Sequence, residues 1–134
     1  MKLLINYKLV SIAEVDGEAA AFIVALPNLN EVIQDCNGKL LPFGWLKILW
    51  RLKVKFPETV RVMLMGVLSK YHNSPLGAAL AYQVIDDMQK AGIKCGMKKA
   101  ELSWVLEDNL AMRNLIRDGG AREYKTYRIF RKDI

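Results

Sequence analysis

The spacing of apolar residues changes several times along this chain, and each change marks an element. Lys8 to Val15 and Glu18 to Leu26 are apolar-rich runs joined by Asp16-Gly17. That dipeptide between two such runs predicts a β-hairpin. Pro27 stops the second strand, and Asn28 or Asn30 supplies a cap for a short helix from Glu31 to Cys36, followed by Asn37-Gly38. In the segment 39–56, Trp45, Leu49, Leu52 and Phe56 recur at helical spacing, and Lys47, Arg51 and Lys55 recur on another face. The pattern predicts an amphipathic helix with its tryptophan-bearing face toward a core. Gly44 and Pro42 mark its start and Pro57 its end.

From Val60 to Leu68 the apolar residues are continuous, as in a strand covered on both faces. Leu76 to Ala91 has helical spacing with Ala78, Ala79 and Ala81 near its start. Glu101 to Leu106 reads as another strand. Asn109 to Arg117 reads as a helix stopped by Gly119-Gly120. Tyr124 to Arg131 alternates like a last strand. The order is β-hairpin, helical insert, β, α, β, α, β. A helix between the strands at Val60 and Glu101 predicts that they run parallel. The expected fold class is α/β, a mixed sheet flanked by helices, in one domain over residues 1–134.

Composition narrows the function classes. With 52% hydrophobic and 25% charged residues, the chain reads as a globular domain rather than a disordered one. The apolar run Met1 to Val10 is broken by Asn6, Tyr7 and Lys8, so it is not read as a signal sequence, and no transmembrane segment is expected. Cys36 and Cys95 are too few and too far apart for a disulfide framework or a zinc site, which points to reduced thiols in a cytoplasmic protein. One histidine and no paired carboxylate motif exclude metal-enzyme and nuclease chemistry. The net charge of +6 favours an anionic partner. Its one dense stretch, Arg122 to Lys132, interleaves with Tyr124, Tyr127 and Phe130 and reads as a charged edge strand, so no nucleic acid is expected.

The candidate chemistry sits in the stretch RVMLMGVLSKYHNSPLGAAL, Arg61 to Leu80. An apolar strand enters a turn with Ser74, Pro75 and Gly77, and a small-residue helix follows at once. Such a turn aims helix N-terminal N–H groups at a phosphate. The stretch AELSWVLEDNLAMRNLI, Ala100 to Ile116, is a second strand running into a helix. Together they resemble the acyl-CoA-binding half of the GNAT superfamily of N-acetyltransferases. The resemblance covers roughly Lys8 to the C-terminus and is densest from Val60 onward. The family's opening strand and first two helices are not evident, so the chain is expected to be a homodimer or part of a larger or tandem protein.

The family's phosphate turn, Gln/Arg-x-x-Gly-x-Gly/Ala, falls on His72 to Gly77. His72 replaces the first position, Pro75 replaces the middle glycine, and Gly77 matches. Pro75 removes one N–H donor but suits the first position of a helix. The resemblance implies acetyl-CoA or another acyl-CoA as co-substrate, with its pyrophosphate at Leu76, Gly77 and Ala78, near His72 and Ser74. It implies a pantetheine arm beside Met65, Val67 and Leu68, and a backbone amide near Val67 or Leu68 for the thioester carbonyl. Asn109 stands where the family has an Asn at the start of its last helix. The Tyr that many members use to protonate the departing thiolate is replaced by Ile116. Gly120 matches a family glycine, and Ala121 replaces the aromatic after it.

The implied reaction is attack of an amine on a thioester, which needs a base, an oxyanion donor and an acid for the thiolate. Glu107 is the expected base, because it ends a strand where α/β ligand sites form. Tyr124 is the expected acid in place of the lost Tyr. The competing reading of Glu107 and Asp108 is acids at a helix N-terminus, with Asp108 as the cap. Two other functions stand beside the acyltransferase acting on an unknown amine. One is a non-catalytic acyl-CoA-binding or protein-interaction domain. The other is a membrane-surface module using Trp45, Trp50, Lys47, Arg51 and Lys55.

Overall fold

The computed structural model describes residues 7–34, 44–54 and 57–132, with the side chains of 52–54 excepted. They fall into two compact units, Met1–Ser103 and Trp104–Ile134. In the first unit, strand β1 (Val10–Val15) and strand β2 (Glu18–Pro27) form the hairpin, entered through a single 3-10 turn at Tyr7–Leu9. Asp16 and Gly17 both have positive φ, 54° and 81°, which gives the tight turn the right-handed twist of the strands. Pro27 is the last residue of β2, and Asn28 caps the next helix by accepting from the Asn30 N–H at 3.2 Å.

Helix α1 (Leu29–Ile33) begins two residues before the expected Glu31, and helix α2 (Gly44–Val54) occupies the centre of the predicted amphipathic segment. Cys36, the Asn37-Gly38 turn, Pro42, Lys55 and Phe56 lie outside the described residues. Strand β3 (Thr59–Val67) pairs antiparallel with β2 on one side and parallel with strand β4 (Lys99–Leu102) on the other. The sheet order is β1-β2-β3-β4. Helix α3 (Pro75–Lys94) makes the crossover, so the parallel pairing follows from the connection as expected.

One face of the sheet carries the core. Ala21, Ile23 and Ala25 from β2 and Val60 and Val62 from β3 pack with Leu80, Val84 and Met88 of α3. α3 continues past Ala91 because Gly92 is buried and leaves room for Met97: a Cβ there would lie 2.7 Å from the Met97 sulfur. The helix then stops at Gly96, φ 94°, where Gly96 N–H donates to Ile93 and Met97 N–H donates back to Gly92.

Two strands depart from expectation. β4 ends at Leu102 rather than Leu106, since Trp104 takes φ 68° and cannot extend the ladder. Tyr124 to Arg131 is not a strand. Residues 121–132 form no regular element, and Ile129 is 101% and Phe130 85% exposed. Their alternation has no partner strand among the described residues, and alternation without a ladder does not hold backbone extended.

The second unit contains helix α4 (Leu110–Asp118), which has half-buried but no fully buried residues. Its cap is Asn109, whose side chain accepts from the Met112 N–H at 3.1 Å, rather than Asp108. Its end is built as α3's is, with Gly120 at φ 83° and Ala121 N–H donating to Ile116.

Candidate functional site

β3 is held to β4 only from Thr59 to Val62. Arg61 grips Glu101 there, Nη2 to Oε2 at 2.8 Å, and Ser103 Oγ reaches the Val62 carbonyl at 3.4 Å. On the β2 side a bulge at Met63 shifts the register, Val24 facing Leu64 and Ala25 facing Val62. Past the bulge β3 runs on to Val67 with β2 alone.

Parity then fixes which backbone groups are open. Leu68 N–H donates to Ala20 at 2.8 Å, so it faces β2. Alternation places the backbone groups of Gly66 and Leu64 on that same side. Those of Val67 and Met65 point the other way, where β4 no longer continues. His72 confirms the direction. Its Nε2 lies 2.8 Å from the Val67 carbonyl, so Nε2 carries the proton and donates it. The N–H groups of Met65 and Val67 thus form an open edge. Leu68, named with Val67 for the carbonyl-binding amide, is committed to the sheet.

The turn between β3 and α3 begins with a 3-10 turn at Ser69–Tyr71 and passes through Asn73, φ 55°, a conformation that Asn tolerates. Ser74 is the cap of α3 and Pro75 its first residue. Ser74 Oγ donates to the Tyr71 carbonyl at 2.7 Å and accepts from Gly77 N–H at 3.0 Å. Ala78 N–H donates to the Ser74 carbonyl at 3.2 Å. The amides of Gly77 and Ala78 are therefore already used. Those of Asn73, Ser74 and Leu76 have no acceptor among the described residues. Gly77 is required for a different reason than ligand approach, because a Cβ there would lie 2.0 Å from the Tyr71 carbonyl oxygen.

Lys70, beside the turn, pairs with Glu18 at 3.0 Å, and its ammonium lies 5.0 Å from the Tyr71 ring centre. The bond to the Glu18 carboxylate first, and then that to Tyr71, raise its pKa above the ordinary lysine value. On the other face of β3, Phe22 lies across Gly66, where a Cβ would meet its ring at 2.8 Å. Ile12, Ala19 to Phe22 and Gly66 to Leu68 line an apolar depression of about 340 Å³ there.

In the second unit, Glu107 is exposed, and its carbonyl accepts from Arg113 Nη1 at 3.1 Å. Arg113 also pairs with Glu123 at 3.0 Å. Tyr124 is exposed, with the Lys125 ammonium 5.2 Å from its ring centre. The Asn109 side chain is occupied as a cap. What sequence reasoning missed is the Met63 bulge, the commitment of Leu68 and the fold-back of His72. None of these leaves a local signal.

The mixed sheet, whose β3 leaves β4 before entering a capped helix, is a GNAT-like fold that solved structures share. Aminoglycoside N-acetyltransferase AAC(6')-Iy, in complex with a bisubstrate analog, CoA-S-monomethyl-acetylneamine, superimposes with a TM-score of 0.61 at 19% identity, over 93% of this chain and 69% of that one. A ribosomal-protein-alanine N-acetyltransferase from Brucella melitensis biovar Abortus 2308 gives a TM-score of 0.56 at 14% identity, over 92% of this chain and 70% of that one. No family model matches the sequence. In sequence, the chain is 46% identical over all its 134 residues to a protein named Bacterial ceramide synthase from Caulobacter vibrioides. It is 44% identical, again over its full length, to Protein YghO of Escherichia coli strain K12. It spans about a third of the length of these curated relatives, 35% and 34%.

Proposed function

We propose that this chain is the acyl-CoA-binding part of an N-acyltransferase whose acceptor is the amine of a long-chain amino alcohol. The observation that carries the reading is the open edge of β3, Met65 to Val67, joined to the first turn of α3 by the tight turn through Ser69–Tyr71, Asn73 and Ser74. The fold shared with acetyltransferases supports the acyl-CoA donor. The 46% identity to a protein named for ceramide synthesis supports the acceptor, since a ceramide is the amide of a fatty acid with such an amine.

In this reading the pyrophosphate lies at the turn, held by the N–H groups of Asn73, Ser74 and Leu76. Gly77 and Ala78 shape the turn through Ser74, and His72 fixes its approach. From there the pantetheine arm runs back along β3, passing Val67 and Leu68 before Met65. The Met65 N–H then donates to the thioester carbonyl oxygen, whose charge grows as the amine attacks. A C–N bond forms and the C–S bond breaks. Glu107 accepts the proton lost by the amine, Tyr124 gives one to the departing thiolate, and Asn109 holds the start of the last helix. The apolar sheet face at Ile12, Phe22 and Leu64, exposed in this chain, supports a homodimer or cover by further chain.

The second reading is a module that binds acyl-CoA without catalysis. Ile116 in the family's Tyr position and Pro75 in the turn favour it. Calorimetric titration with CoA and acetyl-CoA, followed by thiol release with a long-chain acyl-CoA and a long-chain amine, separates the two. Binding with transfer supports the first reading, binding alone the second, and no binding overturns both. If transfer occurs, Glu107→Gln is expected to lower its rate by roughly two orders of magnitude without changing CoA affinity.

A further inference from the structure

Helix α2 turns its aromatic side outward. Trp45 is 47% and Trp50 58% exposed, and Leu46 is exposed between them. Leu46 and Trp50 are one turn apart and form a single stripe, with Trp45 and the exposed Lys47 at its borders. This reverses the expectation that Trp45 faces a core. The inward side is instead the one bearing Arg51, whose Nη1 donates to the Val32 carbonyl of α1 at 2.9 Å. α1 adds Leu29 and Ile33, both exposed.

We propose that the α1–α2 pair docks on the surface of an anionic phospholipid bilayer, with Trp50, Leu46 and Trp45 entering the headgroup region. The chemistry of the stripe selects this occupant. The Trp50 indole ring gains from leaving water while its N–H keeps a polar partner at the membrane interface, which offers both. Lys47 beside the rings meets anionic headgroups, and the segment 44–54 contains no acidic residue to oppose them. The chain's net charge of +6 adds long-range attraction. At 11 residues α2 is too short to span a bilayer but suits lying in its surface. Among the described residues no helix is long and apolar enough to cross a membrane. The proposal does not depend on the transfer reaction.

The test is flotation of the full chain with vesicles of phosphatidylcholine alone and of phosphatidylcholine mixed with phosphatidylglycerol. The chain is expected to float with the anionic vesicles and weakly or not at all with the neutral ones. Trp50→Ala is expected to weaken binding about tenfold. Lys47→Glu should weaken it on anionic vesicles only. These positions are exposed, so the variants are expected to unfold at the parent's temperature. In a Trp104→Phe background the remaining emission should shift to the blue when anionic vesicles are added. Failure to float, parent-like binding by Trp50→Ala, or an unshifted emission would overturn the proposal. So would light scattering that shows a parental dimer broken by Trp50→Ala, because the stripe would then join two copies of the chain.

Discussion

Ser74 and Asn109 do the same local job. Each precedes a helix, and each side chain accepts from the third helical N–H, that of Gly77 in α3 and Met112 in α4. Both helices also end alike, at Gly96 and Gly120 in left-handed conformations. What differs is the support. α3 buries Gly77, Leu80, Ala81, Val84, Met88 and Gly92, while α4 buries none of its residues fully. Capping is written in a few adjacent residues, but a site is positioned only where packing over-determines the helix behind it. The β3–α3 junction meets that condition within its own unit, which makes it the firmer part of the candidate site.

The largest test of that contrast is at the third helical position. Gly77→Ala forces a Cβ to 2.0 Å from the Tyr71 carbonyl oxygen, so turn or helix must move. The expected loss is about 3 kcal/mol, measured by urea unfolding. Met112→Ala, at the equivalent place in α4, should cost less than about 1 kcal/mol. A loss at Gly77 no greater than at Met112 would break the comparison.

The next test is in the helix bodies. Val84 is fully buried against the sheet, and its replacement by Ala is expected to cost about 2 kcal/mol through lost burial and a residual cavity. Leu115 in α4 is half-buried, so Leu115→Ala should cost about half as much. Equal losses would show that α4 is packed more tightly than its exposure indicates.

The caps themselves should differ little. Ser74→Ala and Asn109→Ala are each expected to cost about 1 kcal/mol. Ser74→Ala should cost slightly more, because it also strips a donor from the Tyr71 carbonyl. The readout is again urea unfolding. A negligible loss at Ser74 would mean that packing alone sets the start of α3.

These same features divide what the sequence made legible from what it did not. Asp16-Gly17, Ser74-Pro75 and Gly119-Gly120 carry their geometry in their own covalent structure, and all three lie where their chemistry puts them. The continuous apolar run of β3 announces a strand but not two covered faces: Val60 and Val62 are buried, while Met63 and Leu64 are exposed, and of the small residues of α3 Ala81 is buried while Ala78 and Ala79 are exposed. The Met63 bulge and the early end of β4 depend on how neighbouring strands twist past each other. No residue nearby records that. Trp45 misled because periodicity shows that a helix has two faces, not which one the protein covers. Tyr124 to Arg131 misled because alternation is necessary for an edge strand but not sufficient without a partner. Glu107 and Tyr124 rested on position along the chain, and their roles rest on the transfer assay.

The smallest expected effect concerns Lys70, at the turn but outside the packed core. Its ammonium is held by Glu18 and raised above the ordinary lysine pKa, so the folded chain binds that proton more tightly than the unfolded one. A raised value stabilises the fold fully below the unfolded lysine pKa. The contribution fades as pH rises through the folded value. The pair is exposed and screened by salt, which keeps its effect slight at any pH. Lys70→Met is therefore expected to lower the unfolding midpoint marginally at neutral pH and low salt. The difference from the parent should vanish above the raised lysine pKa, and also in concentrated salt. CoA titration of the same variant sharpens the comparison of the two junctions. Because Glu18 already neutralises Lys70, loss of this lysine should reduce CoA affinity only about twofold. A tenfold or larger loss would mean that Lys70 leaves Glu18 to meet the phosphates, and that the turn is assembled by its ligand rather than by the packing behind α3.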